Sequence, residues 1–189
     1  MLKKISSESL INFINDSCQH LVNEDRLDVL LENFTFLSQK VLNADGSSLY
    51  LAKDGELHFH YICNQSLNIS WGADSKKLAE LQPILINGKA SMPVSVKCFL
   101  QKKTINIEDI YEEASESAEA TRLFDKQFSY KTKSVLNIPI LGHKRSMLGV
   151  MQAINALDEN HQLTTFDEER IKIVECLAIL IGCAIESRL

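Results

Sequence analysis

The chain has 189 residues, a formal net charge of -5 and 45% hydrophobic residues. This length suits one domain with additional terminal helices, and the hydrophobic content is enough for an ordinary core, which excludes a fibrous or disordered protein. The negative charge argues against binding to nucleic acid, because basic stretches such as 131–133 are too short to follow a phosphate backbone.

The cysteines and the N-terminal residues indicate where the protein acts. The five cysteines are odd in number and include no Cys-x-x-Cys pair. We therefore expect neither a disulfide framework nor a zinc site, and a reducing cytoplasm is the predicted location. The first residues lack a signal-peptide pattern and a membrane-spanning length of apolar residues, so no membrane association is expected.

Two helices are predicted at the start of the chain. Apolar residues at helical spacing predict a short amphipathic helix over 6–21, so 1–24 is expected to be an N-terminal helical segment and 25–189 the folded domain. A stronger apolar stripe predicts a helix over 27–42 that ends at a turn over 43–46.

A hairpin and a long irregular connection follow. The Asp-Gly pair in 53–55 predicts a tight turn between strands over 47–52 and 56–64. Periodicity is then lost over 65–92. Within and after this region we expect a short helix at 75–81, a strand near 82–87 and a helix-like turn over 94–102. A connection this long in a compact domain is typical of a lid over a functional site.

The most informative stretch is a second hairpin near the C-terminus. Before it, we expect a brief strand over 104–107 and a helix over 112–127. The apolar runs 135–141 and 147–157 flank the polar break 142–146, which predicts two long strands joined by a turn. The second run is apolar on both faces except at Gln152 and Asn155, so the sheet must be covered above and below. A polar Gln152 in such a strand needs a partner, and a small ligand would be one.

A long helix is predicted to end the chain. Thr165 is expected to cap it, with acidic residues in its first turn and an end near Ser187. Two apolar stripes recur along it: Ile171, Val174, Ala178, Ile181 and Ile185, and then Ile173, Leu177, Leu180 and Ala184. One stripe can pack on the sheet, and the second predicts a homodimer through the terminal helices. The alternative is that the helix over 6–21 folds back over it. Because the helical pattern runs to the last residues, we also expect a continuation into a longer protein.

Four motifs carry a resemblance to a known family. They are TINIEDIY (104–111), FSYKTKSVLNIPI (128–140), LGVMQAIN (148–155) and FDEE (166–169). Together with the order of elements, they resemble GAF domains, in particular those of cyclic-nucleotide phosphodiesterases and of bacterial signalling proteins with a cyclic-di-GMP output domain. The resemblance implies an α+β fold in three layers. A central antiparallel sheet of five or six strands would carry long terminal helices on one face and a lidded pocket on the other.

The resemblance also implies a ligand site. Its residues would be Ser48, Ile62, Cys63, Val94, Ser95, Phe128, Thr132 and Gln152. Their hydroxyl and amide groups suit a small polar heterocycle or an amide-bearing ligand. The chain departs from the cyclic-nucleotide pattern, because Ala156 follows Asn155 where that pattern has a lysine, and Leu163 stands where it has a phenylalanine. Cyclic nucleotide is therefore not favoured, and the sequence identifies no ligand or cofactor.

The function expected from these patterns is regulatory and non-catalytic. The domain would sense a small molecule and control an attached or partner output domain, such as a cyclic-di-GMP phosphodiesterase or cyclase. One alternative is a dimerisation scaffold with an empty pocket, in which Thr132 and Gln152 are satisfied core groups. Another is a free methionine sulfoxide reductase that uses Cys63 or Cys98.

Two histidines on the strand over 56–64 are compatible with either a metal site or a solvated surface. His58 and His60, with Glu56, alternate along one predicted strand and are compatible with metal ligation. Without a third ligand fixed in sequence, a solvated strand face is favoured, and no metal-binding residue is predicted.

Overall fold

The computed structural model describes residues 24–87, 92–113 and 118–188, together with the isolated positions Asn12, Asn15 and Gln19. Apart from those three positions, the helix predicted over 6–21 lies outside the described residues. Of the helices in the described part of the chain, none combines the length and apolar character needed to span a bilayer.

The described elements include both strands and helices. The strands are β1 (Ala44–Lys53), β2 (Glu56–Asn64), β3 (Ile69–Trp71), β4 (Ile84–Leu85), β5 (Ile105–Ile107), β6 (Val135–Leu141), β7 (Met147–Leu157) and β8 (Leu163–Thr164). The α-helices are α1 (Leu27–Leu42), α2 (Lys76–Ala79), α3 (Val94–Gln101), α4 (Glu119–Phe128) and α5 (Glu168–Glu186). A short 3-10 turn, His143–Arg145, joins β6 to β7.

All strands in the described part of the chain belong to one antiparallel sheet. Its main order is β3-β2-β1-β7-β6-β5, and the two-residue strands β4 and β8 pair with β2 and β7. The α+β architecture expected from the sequence is thus confirmed. The described sheet has eight strands rather than five or six, because β3 and β8, with three and two residues, are too short to leave a readable alternation in sequence.

Helices α1 and α5 cover one face of the sheet, called here the α5 face. They run in opposite directions, since Arg170 at the start of α5 donates to the carbonyl oxygen of Val41, and Arg188 after its end donates to that of Glu24. The core between these helices and the sheet includes Phe34, Leu136, Ile138, Met151 and Val174, all at most 1% exposed.

The opposite face, called here the α3 face, is covered by α3, and α4 lies against the edge strand β3 through Phe128 and Trp71. Val96 and Cys98 of α3 pack on Tyr50 and Val150 in one apolar cluster. A separate cluster joins Val94, Ile110, Ala118 and Val135. Residues of β6 therefore alternate between the two faces, as expected of a strand: Leu136, Ile138 and Ile140 face α5, and Val135 faces α3. The expected three layers are present.

The long hairpins match their sequence patterns closely. β6 and β7 have the predicted bounds, and α1 spans the predicted 27–42. In the first hairpin, Asp54 and Gly55 have φ values of 50° and 81°, the left-handed conformation that a two-residue turn between twisted strands requires.

Three predicted boundaries are wrong for identifiable reasons. The turn over 43–46 is shorter than predicted, because Asn43 alone takes a left-handed φ of 50° and the next residue already pairs with Ala156. Glu112 lies in a turn, its N–H donating to the carbonyl of Asp109, and α4 starts only at Glu119. The cap of α5 is Asp167, whose carboxylate accepts from the N–H of Arg170, and not Thr165.

The two apolar stripes of α5 differ in burial. All five residues of the first stripe are buried, as predicted. In the second stripe Leu177 is buried and Ile173 and Ala184 pack partly against the core, whereas Leu180 is 61% exposed. Of the second stripe, only Leu180 is largely exposed, so the apolar surface available to another molecule is smaller than the sequence indicated.

The close approach of α5 to β6 depends on Gly182, which is buried. A Cβ atom there would overlap the carbonyl oxygen of Leu141. We expect Gly182→Ala to lower the free energy of unfolding by about 1–3 kcal/mol, because the helix would have to move off the strand. Denaturant unfolding measures this, with the exposed Cys183→Ala on the same helix as the matched control. Equal stability of the two variants would contradict the close packing.

Candidate functional site

A row of polar side chains crosses the centre of the α3 face. Strand register aligns Ser48 of β1 with Gln152 of β7, and Gln152 with Asn137 of β6. On the outer strands the positions in register with this row are apolar: Ile62 of β2 pairs with Ser48, and Ile105 of β5 pairs with Asn137. Ser48, Gln152 and Asn137, called here the polar row, therefore interrupt an otherwise apolar sheet surface.

The polar row is only partly satisfied by protein groups. The hydroxyl of Tyr50 donates to Gln152 Oε1 at 3.2 Å, and Gln152 Nε2 donates to Asn137 Oδ1 at 3.1 Å. Asn137 is 0% exposed, and its Nδ2 has no hydrogen-bond partner. An unpaired buried amide N–H destabilises a fold by about 1–3 kcal/mol, so the molecule retains a donor that suits an acceptor from outside the chain.

Apolar clusters close the polar row on both sides. Tyr50 and Val150 lie on one side, under α3. Burial raises the pKa of the Tyr50 hydroxyl above its ordinary value, and a hydrogen bond with Ser48 opposes this rise. Val135 and Ile154 lie on the other side. Water is thus restricted around the row, which strengthens any hydrogen bond made to it.

Aromatic rings gather where β3 meets α4. Trp71, which pairs with Ile62, lies 6.5 Å from Phe128 between ring centroids. Phe124 lies 4.7 Å from Phe128 and 6.1 Å from Tyr130. All four rings are half-buried, so they form an aromatic wall that retains accessible surface.

The first turn of α3 supplies the residues above the sheet. Val94 and Ser95, both nearly fully buried, start this helix after Pro93. The N–H groups of a first helical turn have no acceptor within the helix, so they are the backbone donors available in this layer.

Thr132 is held by protein groups. Its N–H and its hydroxyl both donate to the carboxylate of Asp125, at 2.8 and 2.7 Å, and Tyr111 donates to the same carboxylate at 2.7 Å. Asp125 is itself only 4% exposed. Two of these hydrogen bonds fasten α4 to the segment that leads into β6, and the third fastens it to Tyr111 in the segment after β5.

Cys63 lies on the α5 face. Its thiol donates to Gln39 Oε1 at 2.9 Å, and the Ser47 hydroxyl lies 3.1 Å from its sulfur. Burial raises its pKa. Cys98 packs on the α3 face, where burial raises its pKa to about 12. Both thiols are thus kept protonated near neutral pH, the unreactive form.

The structure brings together six of the eight residues that the resemblance implied. Ser48, Ile62 and Gln152 align in one row, Val94 and Ser95 start the covering helix, and Phe128 lies in the aromatic wall. Thr132 is bound to Asp125, and Cys63 faces the opposite layer. Whether any of them contacts a ligand stays a prediction.

Sequence reasoning missed two residues of the site. Tyr50 and Asn137 make the hydrogen bonds that connect the polar row. The signal for Asn137 was available, because strand alternation places it on the same side of β6 as Val135 and opposite to Leu136 and Ile138.

Asn155 has a structural role in the motif LGVMQAIN. It takes a left-handed φ of 57°, and its Oδ1 accepts from the N–H of Lys133 at 2.6 Å. Its Nδ2 donates to the carbonyl of Lys131 and to the hydroxyl of Tyr130, which in turn donates to Asp45 at 2.5 Å. Asn155 therefore fixes the entry into β6 without any ligand.

The histidines of β2 separate at an irregularity in the strand. Tyr50 pairs with Phe59 and Leu49 with Tyr61, so His60 is the extra residue of a bulge. His60 lines a cavity of about 270 Å³ together with Phe59, Ala73, Leu78 and Ala79. His58 does not line this cavity, and its Nε2 lies 3.2 Å from Oε2 of Glu56. Across 24–87, 92–113 and 118–188, no three His, Cys, Asp or Glu side chains are grouped to hold a metal ion.

The thiol environments predict unequal reactivity. With an aromatic disulfide reagent at pH 8, we expect the exposed Cys176 and Cys183 to react at least tenfold faster than Cys63 and Cys98, because only a thiolate attacks and the buried pair is kept protonated. Mass spectrometry of quenched samples, in a Cys18→Ser background, assigns each site. Rapid labelling of Cys63 or Cys98 in folded protein would contradict this account and revive the reductase alternative.

Comparison with known proteins places this fold in a family. The GAF domain family model matches residues 26–185. A cGMP-specific 3',5'-cyclic phosphodiesterase of Drosophila pseudoobscura pseudoobscura is 27% identical over 173 residues, which cover 88% of this chain and 14% of that protein. The corresponding Drosophila melanogaster protein gives the same identity and coverage. The chain thus spans only about a seventh of the length of these relatives.

Solved structures show the same fold at low sequence identity. The GAF domain from a phosphoenolpyruvate-protein phosphotransferase of Coxiella burnetii has a TM-score of 0.69 and 18% identity, covering 96% of this chain and 95% of that one. Free methionine-R-sulfoxide reductase from Neisseria meningitidis, in complex with its substrate, has a TM-score of 0.65 and 15% identity, with 96% and 90% covered. With the family model spanning most of its length and the sheet and helical layers matching, this chain belongs to the GAF domain family.

Proposed function

We propose that this GAF domain is a non-catalytic regulatory module that binds a small planar molecule on the α3 face, over the polar row. The observation that carries the proposal is the fully buried Asn137, whose Nδ2 lacks an acceptor in the middle of the sheet. A ligand acceptor at that position would complete the hydrogen bonding that the chain leaves open.

The side chains around the row define the ligand's chemistry. The row offers an unpaired amide donor, and the hydroxyls of Ser48 and Tyr50 lie beside it. No residue of the row is charged, which favours an uncharged acceptor such as a carbonyl or a ring nitrogen over a phosphate. The half-buried rings of Trp71 and Phe128 suit a flat heterocycle. The proposed ligand is therefore a small polar heterocycle or an amide-bearing molecule.

Regulation would follow from differential affinity. A ligand that binds one arrangement of α3 and α4 more tightly shifts the domain toward it. We propose that α5, on the other face of the same strands, conveys this shift in a homodimer to an output domain, in the cytoplasm. The phosphodiesterase relatives support this role, since the matched region is a small part of a much longer protein.

The second candidate is a dimerisation scaffold that binds no ligand. It is favoured by Gln152 and Thr132, which already have hydrogen-bond partners in the protein. A reductase is disfavoured because the thiols of Cys63 and Cys98 are buried with raised pKa values. The unpaired amide of Asn137 is the feature that the scaffold alternative leaves without a role.

A thermal-shift screen tests the proposal. Nucleobases, nucleosides, cyclic nucleotides, amino acids and amide metabolites are added to the purified chain, and a binder at 100 times its Kd should stabilise the fold by about 2.7 kcal/mol. In Asn137→Leu we expect the shift to disappear, whereas Asn106→Leu, an exposed asparagine on the neighbouring strand, should retain it. A shift that persists in Asn137→Leu would contradict the proposed site, and no shift with any compound would favour the scaffold.

A further inference from the structure

The outer edge of β2 lacks a strand partner in its middle. β4 pairs with Glu56 and Leu57, and β3 pairs with 62–64, so 58–61 have no neighbouring strand on this side in the described sheet. The bulge at His60 lies within this gap. Bulges redirect a side chain at a sheet edge and are common beside functional sites. The gap is therefore a place where a redirected side chain can meet another molecule.

A cavity lies next to this gap, where α2 packs on β2. Its volume is about 270 Å³, and it is lined by Phe59, His60, Ala73, Leu78 and Ala79. Leu78 is buried, whereas Ala73 and Ala79 are exposed, so the cavity opens to solvent. It is called here the edge cavity. None of these five lining residues belongs to the polar row or to the aromatic wall, so the edge cavity is separate from the site proposed above.

Two contacts hold the segment 72–79, which forms one wall of the edge cavity. The N–H of Ala73 donates to Glu32 Oε1 of α1 at 3.2 Å. The ammonium group of Lys77 lies 5.4 Å from the centroid of the Trp71 ring. Both charged side chains thus contact protein groups outside the five lining residues, and the lining itself contains no lysine, arginine or carboxylate.

His60 supplies the polar group of the edge cavity. Its Nε2 is shielded from solvent and has no hydrogen-bond partner among the described residues. Burial lowers the pKa of the imidazole, and the carboxylates of Glu32 and Asp28 oppose part of this shift. The ring is thus neutral near neutral pH. A neutral imidazole has one nitrogen that donates and one that accepts, so a hydroxyl group can pair with either.

We propose that the edge cavity binds a small uncharged molecule with an apolar ring and one hydroxyl group, which pairs with the imidazole of His60. The rest of the lining is hydrocarbon, which suits the ring, and a charged group would lose its hydration there without a partner. An apolar cavity of about 150 Å³ holds benzene. The larger edge cavity therefore has room for a ring with a substituent. This site does not depend on a ligand over the polar row.

Titrations with phenol and toluene test the proposal. The two probes share one ring and differ in a hydroxyl or a methyl group, so toluene reports the hydrophobic part of binding. Binding is followed in amide NMR spectra of the nitrogen-labelled chain. We expect both probes to move the signals of Phe59, Ala73 and Ala79, with a Kd for phenol on the order of 1 mM.

Two variants and a control separate the hydrogen bond from the cavity. His60→Phe keeps a ring and removes the hydrogen-bonding nitrogens. We expect it to lower the ratio of phenol affinity to toluene affinity about two- to tenfold, the usual net contribution of one hydrogen bond. His58→Phe should keep the wild-type ratio, because His58 lies on the same strand and does not line the cavity. Ala79→Phe should weaken both probes roughly tenfold or more by filling the space.

The outcomes decide between this inference and its alternatives. An unchanged affinity ratio in His60→Phe would overturn the hydrogen bond to His60. No binding of either probe to the wild-type chain, or binding that Ala79→Phe leaves intact, would overturn the site itself. Ala79 is exposed, so its variant is expected to fold even where His60→Phe does not. The polar row is tested separately through Asn137, so failure of one proposal is distinguishable from failure of the other.

Discussion

The rest of this structure depends on one constraint, which is that a row of polar side chains is buried in the middle of the sheet. The α5 face also holds buried polar groups, and there Cys63 hydrogen-bonds to Gln39 and lies against Ser47. The α3 face carries Ser48, Gln152 and Asn137, and only part of their hydrogen-bonding capacity is used within the chain. Leaving the Asn137 donor unpaired lowers the free energy of unfolding by about 1–3 kcal/mol, which is a substantial fraction of a typical domain's total.

Hydrogen bonds and packing connect the layers around this row, so a conformational change on the α3 face has a path to the α5 face. Asp125 ties α4 to Thr132, and Asn155 ties the next residues of that segment to β7. β7 also carries Gln152, and its neighbour β6 packs against α5. A change in α3 or α4 above the row thus acts on strands whose opposite side supports the helix proposed to pair with a second copy.

Much of the fold was readable from the sequence, because local patterns decide it. An Asp-Gly turn between two strand-like runs defined the first hairpin, apolar runs on either side of a polar break defined the second, and the stripe of α1 defined its bounds. The site was less readable. Ile62 and Cys63 are adjacent in a strand and face opposite layers, and Thr132 is paired with a carboxylate seven residues away on another element. Such pairings depend on tertiary contacts, which one sequence does not reveal. The position of Asn137 on the α3 face, by contrast, follows from period-two alternation along β6.

Native mass spectrometry of freshly purified protein tests the central claim most directly, that the polar row holds a molecule from outside the chain. The account predicts a wild-type subunit that carries an added mass of a small organic molecule, and an Asn137→Leu subunit of bare mass prepared in the same way. An equal mass adduct on both proteins, or bare mass for both, would contradict it.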